Sequence, residues 1–425
     1  MNKKLIYALV FLPLVAIVYI GARYQATVYL MPTPAVISTG EINPFDTNPY
    51  RKKSNDIQVL FATNRIPVGL SDNRSYTIFP GDKLRMGIVR MQIGETGTSW
   101  ESILNLSTTE DGEQRPPLKL KNIEELAQYP LSTNKKAQPE NMQALADMVN
   151  QALEDSIDKD ITIYVHGANT GIYRASAQAA QYHHFTGQNS VVMVFLWPSA
   201  ENLLAYGTDK QHALKSAPAF AELLDLLAQH THAKHINVLA YSAGAQILSP
   251  ALEILGKNTA EGKRKKYRLG EIYFAASDIG VDTFVKQLQH YIDMPRSITM
   301  AINLSDRVLA IAAWRNKISR LGRPDLDDLS EEKKQWLREV SDMPELTVIK
   351  VTSETLSGMR AASHDFWYAH PWVSSDALTL LLFHKRPAER GLVEIVKDNN
   401  IRYWTFTPDY SERIIDIIAS IKNKQ

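Results

Sequence analysis

The stretch Ile236-Asn237-Val238-Leu239-Ala240-Tyr241-Ser242-Ala243-Gly244 decides how the rest of the chain is read. Its first five residues form a β-branched and aliphatic run, the mark of a short buried strand. The residues after Gly244 read as helix. A serine caught between strand and helix sits in a sharp, strained turn. Its neighbours two positions away must be small, because the two backbones crowd there. Ala240 and Gly244 meet that demand. The start of a helix also offers backbone N–H groups without intrahelical acceptors, which suits a developing oxyanion. Ser242 is the candidate nucleophile.

Outward from this strand, short apolar runs alternate with helical patterns. Strand candidates are Ile57–Ala62, Gly87–Ile93, Ile161–Val165, Ser190–Trp197, Glu271–Ala276, Ser297–Asn303 and Leu346–Thr352. Helical spacing marks 139–156 and 211–230. Strand, helix, strand in this rhythm predicts an α/β domain: a mostly parallel sheet with helices on both faces. Such sheets collect function at the carboxyl ends of their strands. Residues 310–345, with Trp314 and Trp336, read as a helical insert, either a lid over acyl chains or plain packing. Pro250 falls inside the helix after Ser242 and is expected to kink or end it.

A serine hydroxyl is a weak nucleophile without a base. In this fold type the acid follows a later strand and the histidine comes last. Asp306 follows Ser297–Asn303, and His364 follows the strand Leu346–Thr352. Asp278 competes for the acid role and His370 for the base. A second oxyanion donor is expected after an earlier strand. Ile161–Val165 runs into His166-Gly167-Ala168-Asn169, so the backbone N–H of Ala168 or Asn169 is paired with that of Ala243. His166 is read as a structural residue that fixes this loop.

The 425 residues carry a formal net charge of +1, so no global field points to nucleic acid. Cysteine is absent, which removes disulfides, thiolate metal sites and a cysteine nucleophile. His230-x-His232-x-x-His235 resembles metal spacing but lies at the end of the sheet away from Ser242, so no metal is assigned. No Gly-rich phosphate loop with a following lysine occurs, and no cofactor is expected. Lys3 and Lys4 precede an apolar run from Leu5 to Ala22, of near-spanning length. Residues 1–24 are read as an uncleaved membrane anchor, or otherwise a secretory signal. The body would then be extracytoplasmic, periplasmic in a bacterium. Residues 25–55, rich in Pro, Thr and Asn, are read as a stalk, and 56–425 as the folded domain.

Several segments together resemble an uncharacterised family of bacterial α/β-hydrolase-fold proteins, related in fold to lipases and esterases. They are Phe61-Ala62-Thr63-Asn64-Arg65, Val165-His166-Gly167, Phe195-Leu196-Trp197-Pro198, the Ser242 elbow, Ser277-Asp278-Ile279, Ser305-Asp306-Arg307-Val308-Leu309, His364-Asp365-Phe366, and Arg386-Pro387-Ala388-Glu389-Arg390-Gly391-Leu392. They span about 57–392. The elbow departs from the family's usual His-Ser-Met-Gly, having Tyr241-Ser242-Ala243-Gly244. The resemblance implies a triad of Ser242, Asp306 and His364. The expected activity is hydrolysis of carboxylic esters, with lipid or acyl esters favoured by the N-terminal anchor. The alternative is a membrane-tethered binding module on the same fold that does not catalyse.

Overall fold

The structure is a computed structural model that describes residues 27–40, 42–50, 53–109, 115–131, 139–396 and 402–422. The apolar run 5–22 lies outside them. No helix among the described residues is long and apolar enough to cross a membrane.

Eleven strands form one sheet: β1 (Asp56–Val68), β2 (Ser75–Ile93), β3 (Leu118–Pro130), β4 (Ile161–Val165), β5 (Val191–Phe195), β6 (Ile236–Tyr241), β7 (Leu269–Ala275), β8 (Ser297–Ile302), β9 (Leu346–Lys350), β10 (Val393–Val396) and β11 (Arg402–Thr405). Their order across the sheet is β10-β11-β9-β8-β7-β6-β4-β5-β1-β2-β3. From β11 through β1 every neighbouring pair is parallel; β2, β3 and β10 add antiparallel edges.

The helices are α1 (Ala35–Ser38), α2 (Trp100–Thr108), α3 (Pro139–Glu154), α4 (Ile172–Phe185), α5 (Tyr206–His230), α6 (Ala245–Lys257), α7 (Val281–Leu288), α8 (Arg307–Asn316), α9 (Glu331–Ser341), α10 (Phe366–Ala369), α11 (Pro371–Phe383) and α12 (Tyr410–Lys422). They cover both faces. The central strands are buried throughout, so their alternation divides two cores. Ile161, Ile163 and Val165 pack with α3, α5, α6 and α7, while Tyr164 and Tyr241 pack with α4 and α11.

One expectation is corrected and two open alternatives are narrowed. The stalk reading fails for residues 27–50: Leu30, Met31, Ala35, Val36, Ile37 and Phe45 are buried in the core beneath α4 and α11. The Met31 N–H donates to Gln181 Oε1 at 3.0 Å and the Val36 N–H to Ser375 Oγ at 3.0 Å, so this segment is a strap on the domain. Pro34 is extended just ahead of the short helix α1, and the segment's apolar side chains supply the adhesion. Pro250 does not end its helix, since α6 runs on to Lys257. The segment 310–345 is the connection from β8 to β9. Trp336 packs near Val281, Val285 and Leu329, and Trp314 is 81% exposed, so neither covers Ser242.

Candidate active site

β6 delivers Ser242 to the carboxyl edge of the sheet. Ser242 has φ +52°, the left-handed region that L side chains avoid, so the turn is strained as the elbow requires. The strain is held by close packing. A Cβ on Gly244 would overlap the Val165 carbonyl oxygen, and one on Gly167 would stand 3.1 Å from Ser242 Cβ. Only glycine lets β4 and the start of α6 approach this closely.

His364 lies in the loop between β9 and α10. Its Nε2 is 2.8 Å from Ser242 Oγ, and its Nδ1 is 2.6 Å from Asp306 Oδ2. A carboxylate only accepts, so the proton sits on Nδ1 and leaves Nε2 free to accept from the serine. Asp306 follows β8 and is fully buried. Its other oxygen accepts the Leu309 N–H at 3.0 Å, which caps α8. Ser242, His364 and Asp306 are therefore brought into one hydrogen-bonded chain.

The competing acid and base are engaged elsewhere. Asp278 accepts from Arg320 Nε at 2.6 Å and from the Tyr206 hydroxyl at 2.7 Å. His370 donates from Nε2 to the Ser357 carbonyl at 3.0 Å, and its Nδ1 accepts the Trp372 N–H at 3.2 Å at the head of α11.

The loop 166–171 runs beside Ser242 and Tyr241 at Gly167. The Asn169 N–H is taken by Asp209 Oδ2 at 2.8 Å, so of the two loop donors expected from the sequence, Ala168 and Asn169, the second is already engaged. Asp209, in the first turn of α5, also accepts from Ser199 Oγ at 2.9 Å and from the Ala200 N–H, so one carboxylate ties two loops together. Burial pushes its acid up from the usual range, opposed by these hydrogen bonds. Asp209 has no local sequence signal; its role depends on loops 10 and 40 residues away. His166 is buried and stacks on Trp197 at 5.0 Å between ring centroids. Burial and the nearby Arg65 charge push it down to about 3, so it stays neutral. It donates from Nδ1 to the Gly167 carbonyl at 2.8 Å, while Trp197 Nε1 donates to the His166 carbonyl at 2.8 Å. Behind them the buried Arg65 donates to the Trp197 carbonyl at 3.0 Å and pairs with Glu201 at 3.0 Å.

Tyr241 lies with its ring 5.3 Å from that of His364. Together with Arg174, Val308, Arg360 and Tyr368 these residues line a cavity of about 310 Å³. A second, more apolar cavity of about 380 Å³ lies under α9, lined by Val285, Met300 and Leu337 among others, and excludes His364.

At the opposite end of the sheet, Asp160, His235 and His384 hold their donor atoms within 4.8 Å of one another. His230 and His232 are not part of this group. His384 places Nε2 3.1 Å from Asp160 and Nδ1 3.1 Å from Glu271. Hydrogen bonds to these two carboxylates raise it to about 9, so an imidazolium bridging them satisfies the cluster at neutral pH.

A comparison with curated proteins gives no match. The profile of the alpha/beta hydrolase family of unknown function DUF900 matches residues 141–370, which include Ala168, Ser242, Asp306 and His364. That is more than half of the chain. It coincides with the central parallel strands β4 to β9 and with the resemblance noted from the motifs. The chain is an α/β hydrolase and belongs to this family of unknown function.

Proposed function

We propose that the protein is a serine hydrolase that cleaves carboxylic esters through an acyl-enzyme. The observation that carries this reading is the chain Asp306–His364–Ser242, with contacts of 2.6 and 2.8 Å. His364 Nε2 takes the proton of Ser242 as Oγ attacks the carbonyl carbon. Asp306 holds the imidazole in the required tautomer and stabilises its charged form. The N–H groups of Ala168 and Ala243 receive the oxyanion. His364 then returns the proton to the leaving alkoxide, and water repeats the sequence to free the acid and restore Ser242. The exposed strip Leu304, Val308, Ile311 and Trp314 beside the site favours acyl or lipid esters. The run Leu5–Ala22 supports a tether that would hold the body at an extracytoplasmic membrane surface.

Fluorophosphonate labelling of the full chain tests the reading. Label on Ser242, absent from Ser242→Ala protein and accompanied by loss of p-nitrophenyl ester hydrolysis, is the expected result. Well-folded wild-type protein that neither labels nor hydrolyses would move the reading to a non-catalytic binding module.

A further inference from the structure

Arg174 occupies the first turn of α4, directly after the loop that carries Ala168. It lines the same cavity as His364. It is half-buried among aromatic residues, and its hydrogen bond among the described residues runs from Nη2 to the Tyr368 hydroxyl at 3.4 Å. No carboxylate of the described residues pairs with it. The fully buried arginines among the described residues are each matched with a carboxylate, Arg65 with Glu201 at 3.0 Å, Arg320 with Asp278 at 2.6 Å and Arg390 with Asp376 at 2.5 Å, whereas the half-buried Arg174 has none. That contrast is chemically pointed, because a guanidinium withdrawn from water without a counter-charge is costly. Its position adds to the cost, since the start of a helix carries partial positive charge and disfavours a cation.

The rim of the cavity holds a second guanidinium. The Arg360 side chain is 81% exposed and lies 3.5 Å from Asp365 Oδ2. The other oxygen of Asp365 is occupied by the Ser363 hydroxyl at 2.6 Å, so the one acid on this wall is already engaged. The arrangement is a partly desolvated cation, an exposed one at the mouth, and an apolar edge at Val308. A planar guanidinium in such a place matches an oxyanion bidentately. A volume of about 310 Å³ holds a group of headgroup size.

We infer that Arg174, with Arg360 at the rim, forms an anion-binding subsite beside the reacting centre, so that the substrate is an amphiphilic ester bearing a phosphate or carboxylate close to the bond that is cut. The substrate assignment rests on Ser242 being the nucleophile; the anion subsite does not. In this role Arg174 is a specificity residue that touches substrate away from the reacting atoms.

Calorimetric titration of full-chain Ser242→Ala protein isolates binding from turnover. The probes are octyl phosphate, octanoate, inorganic phosphate and 1-octanol. Octyl phosphate or octanoate is expected to bind at least 10-fold more tightly than 1-octanol, and the tighter of the two identifies the anion. Adding Arg174→Gln should weaken that binding at least 10-fold, and Arg174→Lys should weaken it less, because the charge remains. Equal binding with and without Arg174, in proteins of matched thermal midpoint, overturns the subsite; the lysine variant carries the test where the glutamine variant does not fold. Inorganic phosphate binding as tightly as octyl phosphate overturns the amphiphilic assignment. In Ser242 protein, Arg174→Gln should lower the preference for mono-p-nitrophenyl glutarate, whose free carboxylate lies near the ester, over p-nitrophenyl pentanoate at least 10-fold, chiefly through KM. Fluorophosphonate labelling reports separately whether the serine is activated.

Discussion

Asp306 serves two partners with one carboxylate: Oδ2 faces His364 and Oδ1 caps α8. These roles separate by substitution. Asn keeps a capping oxygen but presents an amide to the imidazole, so Asp306→Asn should lower kcat by about 10³–10⁴-fold with little change in thermal midpoint. Asp306→Ala should lose the activity and also about 1 kcal/mol of stability with the cap. Activity of Asp306→Asn within a few-fold of wild type would remove Asp306 from the mechanism. Gly244→Ala tests the elbow, since its Cβ meets the Val165 carbonyl. We expect a loss of about 1–3 kcal/mol in denaturant unfolding. At this scale the sequence is legible wherever chemistry follows chain order. Ser242 and Asp306 stand just past β6 and β8 and His364 lies in the loop after β9, in the chain order expected of this fold. Arg174 and Asp209 were illegible because their meaning lies in what surrounds them: one lacks a counter-charge, the other gathers donors from separate loops.

Among the elements, α5 contributes more than packing, since its first turn carries the clamp on the loop 168–170. An amide at 209 offers one acceptor oxygen where Asp209 uses two. Asp209→Asn should therefore release the Asn169 or the Ala200 N–H and let the Ala168 amide drift from its aim. A fall in kcat of roughly 10–100-fold with a smaller change in KM is expected; a pure KM effect would point to substrate contact instead. The buried central strands announced themselves as continuous apolar runs. β3, β10 and β11 did not, for a physical reason. β3 is a half-exposed edge strand carrying Lys119, Lys121, Glu124 and Glu125, and β10 alternates exposed with half-buried positions, so neither shows a clean apolar period. The 310–345 connection stayed open between cover and packing for the opposite reason: a charged helical stretch with two tryptophans fits either, and its tryptophans divide between inner packing and solvent.

Across the whole molecule the two ends of the sheet have different electrostatic tasks. The end away from Ser242 is held by His384, which joins the close of α11 to Asp160 before β4 and to Glu271 in β7. His384 is raised to about 9, first by its hydrogen bond to Asp160 and then by that to Glu271. Its ordinary value is about 6.5. A raised folded value means that the stabilisation is complete below about pH 6.5 and is lost as pH rises through about 9, a contribution of about 3 kcal/mol at most. Burial alone would raise Asp160, but the His384 and His235 contacts hold it below its usual value, so its share fades as pH falls through the ordinary carboxylate range near 4. Denaturant unfolding between pH 5 and 10 should show wild type losing stability from about pH 6.5 to about 9, and His384→Gln should flatten that slope. Parallel slopes would remove His384 as the cause. The strap of residues 27–50 also belongs to this scale. Its prolines read locally as a spacer, and only the sheet face it covers shows why Leu30, Val36 and Phe45 are apolar.

Trp314 has an optical consequence. The chain has seven tryptophans; Trp197 and Trp367 are buried, whereas Trp314 stands 81% exposed on the helix whose Val308 edges the cavity. Iodide should quench its red-edge emission selectively. Any amphiphile that settles on this rim should shift that emission to the blue, giving the protein its own fluorescent indicator of ligand arrival.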